Sequence, residues 1–311
     1  AFIFGGISLL ISMIWGDLGS AARVIISYGS GLCAFITAYV FTRDERYANL
    51  SFPFYLISAL LMPFGMFVFL HEYVGGNDLQ MAIISVFGIL AVQFAVPFLK
   101  DKKTSLLFFA YFFFYLSLGA LLDRVHVPRD IAGLGMGLSI IAFAFYFDKT
   151  VHRPICAFWY FIGIGTYLAS ISNMMFNLDM SGNLIGVIMG LSVLSLGWYF
   201  KEAKHNIIAP TLFILGSLGF LYSLFDAVEG KPFVDLSFLA VAVLMMIISV
   251  RAQSRILLVM STLAIISFLG YFTGEYFADV TGWPIALIIF GFFLISISRY
   301  ALKLGKKISA T

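Results

Sequence analysis

Polar and apolar positions in this chain do not alternate with a strand period, and they do not form the narrow stripe of a water-facing helix. They come in blocks, with long apolar runs separated by short turns that hold nearly all the charge. About 20 apolar residues in helical form cover the hydrocarbon thickness of a bilayer. The blocks therefore predict membrane-crossing helices over 1–15, 24–42, 52–70, 80–99, 104–122, 130–147, 154–172, 183–200, 206–225, 236–250, 256–273 and 283–302. A barrel is disfavoured because its strands would alternate polar and apolar over about ten residues. The expectation is an all-α fold, a polytopic transmembrane bundle of about 12 spans built of tandem helical hairpins. With turns this short, successive spans should be antiparallel neighbours in a single transmembrane domain covering 1–311.

One hairpin occurs twice. The run from Ile131 to Pro154, IAGLGMGLSIIAFAFYFDKTVHRP, returns 53 residues later as LIGVIMGLSVLSLGWYFKEAKHNI. Gly133, Met136 to Ser139, Tyr146, Phe147 and His152 recur as Gly186, Met189 to Ser192, Tyr199, Phe200 and His205, and Gly163 in the following span matches Gly216. The clearest copies are 131–165 and 184–218. Self-similarity at a fixed period marks a duplicated unit. In the first copy Gly133, Gly137 and Ala144 share one helix face, and Gly186, Gly190 and Gly197 repeat it. Small residues four apart let helix backbones approach closely in lipid, so these are expected helix-packing positions, used within the chain before any dimer seam.

Charge gives the bundle a direction. Of 19 Lys and Arg, 15 fall in the turns after even-numbered spans or in the tail, leaving Arg23, Arg124, Arg129 and Lys231 on the other side. Eleven of the 16 acids lie with those four. Cytoplasmic turns carry the excess of Lys and Arg, so the even turns and the carboxyl tail are expected in the cytoplasm. The composition agrees, with 61% hydrophobic and 11% charged residues. No room remains for a soluble catalytic domain. The net charge of +3 is a matter of orientation, and no basic stripe with interleaved aromatics points to nucleic acid. Cys33 and Cys156 both fall within spans and are read as small apolar side chains without a disulfide. The opening run AFIFGGISLLISMIW has no basic region and no small-residue cleavage site. It is read as the end of a first span, with residues before Ala1 missing or removed, and not as a signal peptide.

Candidate chemistry is sparse. No Asp, Glu, Lys, Arg or His falls near the middle of an expected span. Such a group costs about 2.5–3.5 kcal/mol on insertion scales and marks proton relays and ion paths. Its absence disfavours a pump, a charge-lined channel or an intramembrane protease of the metal or aspartyl kind. The most irregular hairpin is the second, where Pro63 interrupts the third span and Gln93 and Pro97 sit in the fourth. A helix opened by proline beside a buried amide can frame a cavity for a neutral or amphiphilic ligand, so Pro63, Gln93 and Pro97 are the candidate substrate-lining residues. Packing alone, with the amide bonded to a freed carbonyl, explains the same three residues.

His71-Glu72 begins like a zinc signature, but Gly75 stands where the second His would be. His126 lies between Asp123 and Asp130 in an acidic turn that reads as solvated, and His152 and His205 read as interfacial. Gly-rich nucleotide-binding runs are absent. Trp15, Trp159, Trp198 and Trp283 fall toward span ends as an interfacial belt. No catalytic residue, metal ligand or cofactor is expected.

Trp15-Gly16-Asp17 closing the first span, Arg23 opening the second, the paired short hairpins and the late Trp283-Pro284-Ile285-Ala286-Leu287 together resemble a group of bacterial polytopic inner-membrane proteins. Members of that group often carry Asn-Trp-Asp after the first span. Here Ile14 takes the Asn position and Gly16 separates Trp from Asp. The resemblance covers most of the layout and implies a bacterial inner-membrane location without implying an activity. The reading that follows is a carrier or flippase-like protein for a lipid-like or weakly polar substrate, with membrane lipids as partners. The rival is a non-catalytic structural or assembly subunit that meets other membrane protein subunits.

Overall fold

In the computed structural model the described residues are 15–276, apart from 45, 48–49, 76–77, 204–207 and 230–231, together with 288, 292, 295, 299 and 300. The expected spans 1–15 and 283–302, His205 and the Trp283 motif lie outside the described residues or nearly so. Every expected span between them is a helix. These are α1 (Ser20–Arg43), α2 (Ser51–Val74), α3 (Leu79–Asp101), α4 (Thr104–Arg124), α5 (Arg129–Phe147), α6 (Arg153–Asn177), α7 (Gly182–Glu202), α8 (Ile208–Val228), α9 (Pro232–Arg251) and α10 (Arg255–Tyr276). Nine of them, all but α9, are long and apolar enough to cross a membrane by length and composition. No strand occurs among the described residues.

The chain divides into two compact units after Cys156, inside α6. In the first, α1 packs along α2 and α3 along α4. In the second, α7 packs along α8 and α9 along α10. All four of these close pairs turn at basic loops, which follow from helices ending where Lys and Arg begin.

The core of the first unit is aromatic. Phe94 of α3 is fully buried, with ring centroids 5.1 Å from Phe35 of α1 and 5.4 and 5.7 Å from Phe109 and Phe113 of α4. Edge and tilted ring contacts of this kind add to the dispersion that must hold helices together where lipid removes the hydrophobic drive. Two polar side chains of α4 bond to the helices beside it. Ser117 Oγ of α4 donates to the Ile84 carbonyl of α3 at 3.0 Å, and Tyr115 of α4 donates to Ser139 Oγ of α5 at 2.8 Å.

Among the described residues, two stretches of these helices depart from the α-helical ladder. Ile25–Gly29 in α1 and Leu70–Val74 at the end of α2 are π-helical. Beside them Arg23 and Glu72 form an ion pair at 2.6 Å, and Ser20 Oγ donates to the other Glu72 oxygen at 2.6 Å. Arg23 also donates to the Trp15 carbonyl at 3.0 Å and lies 5.9 Å from the indole centroid. Arg124 pairs with Asp78 at 2.7 Å, and Arg129 lies 4.0 Å from Asp123. The three described cations at the acidic end thus each meet a carboxylate. Asp78 also caps α3 by accepting from Met81 N–H at 3.0 Å. That amide, and then Arg124, hold its carboxyl below the usual range.

The turns before α5 and α7 are the same motif. His126 and Asp179 both adopt left-handed backbone, with φ of 60° and 55°. Val127 N–H donates to Leu122 C=O at 3.0 Å and Met180 N–H to Met175 C=O at 3.3 Å, while His126 donates to Asp123 C=O and Asp179 to Phe176 C=O. Each pair of equivalent residues is 53 apart, the interval of the sequence repeat. This is a Schellman closure, which satisfies the last free carbonyls of a helix.

At the basic end of the first unit His152 is buried in the turn after α5, between the rings of Phe98 and Phe147, with Nδ1 2.9 Å from Thr104 Oγ1. Burial pushes its pKa down. An unfolded chain takes up this proton below pH of about 6.5, before the folded one does, so the folded state loses stability as pH falls below that value. Acidification from pH 7 to 5 should lower the melting temperature of the wild type more than that of His152→Gln, followed by intrinsic fluorescence. Equal losses in both proteins would remove His152 from the acid response.

Candidate functional site

Pro63 and Pro97 are half-buried inside helices that continue past them, α2 and α3. Gln93, also half-buried, points its Nε2 at Met62 Sδ, 3.6 Å away. Met62 is fully buried and also takes a hydrogen bond from Ser58 Oγ at 3.1 Å. Gln93 is thus brought beside the residue preceding Pro63, across the α2–α3 contact, with a thioether as its polar neighbour. A sulfur is a weak acceptor for an amide donor. None of the three cavities that follow is lined by Pro63, Gln93 or Pro97.

The glycines of the second copy stand at a helix contact. A Cβ on Gly190 would lie 2.5 Å from Phe220 N and 2.6 Å from Phe220 Cα, and one on Gly186 would meet Ser223. Gly216 of α8 faces back at Leu194, where a Cβ would lie 2.9 Å from the backbone nitrogen. In the first copy Gly137 is buried and Gly133 half-buried.

Three cavities are walled by described residues of the second unit. One, about 480 Å3, opens between α7, α8, α9 and α10, with Leu191, Trp198, Phe213, Phe220, Leu244 and Ile248 among its walls. Its lining is apolar except for Ser195, the indole N–H, a tyrosine and Glu202, and Trp198 Nε1 donates to Glu202 Oε1 at 2.8 Å. A second, about 300 Å3, lies between α8, α9 and α10, walled by Leu221, Phe225, Phe238, Leu263 and Tyr271. Ser217, at the middle of α8, lines it. A third, about 260 Å3, lies at the basic end, where Lys201 and Arg255 meet Ala209, Pro210 and Phe213.

Ser217 is the polar group that sequence reasoning passed over. It is fully buried and its Oγ has no hydrogen-bond partner. Other hydroxyls of these helices bond back to their own backbone, as Ser192 does to Ile188, Ser261 to Leu257 and Thr273 to Leu269. A serine in an apolar helix is ordinarily silent because that back-bond satisfies it. Only the side-chain geometry sets Ser217 apart.

Among the described residues Asp, Glu, Lys, Arg and His keep to the turns and the end turns of the helices. Asp235 is fully buried, but in the first turn of α9. Among the described residues no group of three or more His, Cys, Asp or Glu could hold a metal ion. No family model, curated protein or solved structure matches the chain. What it is rests on its helices: a multi-pass integral membrane protein.

Proposed function

We propose that the protein is a carrier or flippase-like membrane protein that handles a lipid-like or weakly polar substrate. The observation that carries this reading is the Ser217 hydroxyl, buried without a partner on an apolar cavity at mid-span. An unmade hydrogen bond of this kind costs about 1–3 kcal/mol, and a hydroxyl, ester or amide of a bound molecule would satisfy it. That cavity's walls hold no ionisable group but tyrosine, which fits a neutral substrate portion. The cavity-lining residues of α8 run from Ala209 through Phe213 and Ser217 to Phe225, most of the length of the helix. A hairpin duplicated at 131–165 and 184–218 agrees with the way many transporters are built. Pro63, Gln93 and Pro97 remain a second proposed lining, in the first unit. The proposed location in a bacterial inner membrane rests on the layout resemblance, and the proposed cytoplasmic carboxyl tail on the sorting of Lys and Arg.

The test is reconstitution into vesicles with a fluorescent short-chain phosphatidylcholine and a membrane-impermeant quencher. Wild-type protein should speed transbilayer movement above protein-free vesicles, and Ser217→Ala should slow it several-fold. The same substitution should leave stability unchanged or raise it by about 1 kcal/mol, because an unpaired buried hydroxyl is removed. Function and stability moving in opposite directions is the signature of a ligand-directed group. Gln93→Leu in the same vesicles tests the second lining, and an unchanged rate removes it. Folded protein that moves no lipid would overturn the carrier reading and leave the assembly-subunit reading standing.

A further inference from the structure

We infer that the cavity beside Ser217 holds the head of a quinone, a neutral flat ring with two carbonyls, entering sideways from the bilayer between α8 and α10. This rests on the reading of that cavity as the substrate's. At about 300 Å3 it stands at the small end of ligand pockets, which run from about 300 to 1,000 Å3. A single ring with the start of one chain suits that space better than a two-chain phospholipid. Leu218 and Tyr222 of α8 and Leu263 of α10 line it and are each more than half exposed. Within the spans such exposure is to lipid, so the mouth opens into the bilayer.

Depth decides the kind of ligand. Ser217 stands at the middle of α8, where a resting phospholipid offers only hydrocarbon, because its esters stay in the interfacial region. The hydroxyl is fully buried and unpartnered, so the group that satisfies it must be carried at mid-depth. Ser267 of α10 adds a second hydroxyl to the same walls. Two hydroxyls from two helices suit a molecule with two carbonyls. Much of the remaining wall is aromatic. Phe225 stands 5.6 Å from Phe238 and 5.0 Å from Tyr271, and Phe268 stands 5.2 Å from Phe238 and 6.3 Å from Tyr271, centroid to centroid. These four rings close into one patch. The faces of such rings are electron-rich, and a ring drained by two carbonyls is electron-poor, so the patch favours a quinone over a saturated chain. No Asp, Glu, Lys, Arg or His is among the lining residues, so a charged head would find no counter-ion there.

The experiment is native mass spectrometry of the whole protein in detergent, with equimolar decylubiquinone and decanol, which has the same chain and lacks the ring. Wild type should retain the quinone in several-fold excess over the alcohol. Ser217→Ala should lower quinone retention several-fold and Ser267→Ala by less, while Ala264→Leu, which fills the space without touching a hydroxyl, should abolish it. Ser195→Ala, in the wall of the 480 Å3 cavity, should leave it alone. If Ala264→Leu misfolds, the serine variants decide. Equal retention of quinone and alcohol overturns the ring, and quinone retention unaltered in Ser217→Ala overturns the site. Phosphatidylcholine movement that depends on Ser217, with no quinone retained, overturns the quinone and spares the carrier reading. Quinone held through Ser217 by protein that moves no phosphatidylcholine would uphold the site and overturn the carrier.

Discussion

Gly190→Ala is expected to destabilise the protein by about 1–3 kcal/mol, whereas Gly135→Ala should be neutral or mildly stabilising. The two residues lie on helices that match in sequence, and intrinsic propensity favours alanine in both by about 1 kcal/mol. What separates them is the space beside the backbone. A Cβ on Gly190 would stand 2.6 Å from Phe220 Cα, and main chain cannot rotate away as a side-chain tip can. A Cβ on Gly135 meets nothing within 4 Å. Gly65→Ala belongs with Gly190, since its Cβ would stand 2.7 Å from Tyr28 Cβ and closer still to that residue's backbone. Thermal unfolding in detergent checks the pair, and equal melting temperatures for Gly190→Ala and Gly135→Ala would show that α7 and α8 do not approach as closely as described.

Glu72→Ala should lower the melting temperature by several degrees, and Arg23→Ala by a similar amount, with the double variant little worse than either. The reason is that each partner is mostly shielded, at 24% and 14% side-chain exposure, so removing one leaves the other charged group in place without its counter-ion. Ser20 and the Trp15 carbonyl would retain their hydrogen-bonding roles to whichever group remains. Arg124→Ala is the internal control, because that pair is 41% and 49% exposed and surface pairs contribute little. Strictly additive losses at Arg23 and Glu72 would show that the two do not interact in the folded protein.

The spans were readable because a bilayer demands length and apolarity and little else. Their ends were readable because Lys and Arg sit there, and helices from Ser20 to Tyr276 begin and stop within a few residues of expectation. The side-by-side arrangement was not readable. In water a helix advertises its inner face by a polar outer one, but here lipid-facing and protein-facing sides are equally greasy, so nothing along α8 announces that Phe213 and Ser217 face cavities while Ile214 and Leu215 are exposed. The glycines were the exception, since Gly190 carries its meaning in having no side chain. Gln93 was noticed, but its Met62 neighbour was not, because a thioether leaves no polar mark in the sequence. The π-helical turns beside Arg23 and Glu72 have no residue signature either.

The Schellman closures at His126 and Asp179 have a mechanical consequence. Each fixes the angular phase with which the next helix leaves its loop. One residue inserted between Asp179 and Gly182 would swing α7 about its axis by about 100°, enough to carry Gly186 off Ser223 and Gly190 off Phe220 and put Ile185 and Met189 in their places. The loop's length, more than its composition, would then decide whether the helices mesh.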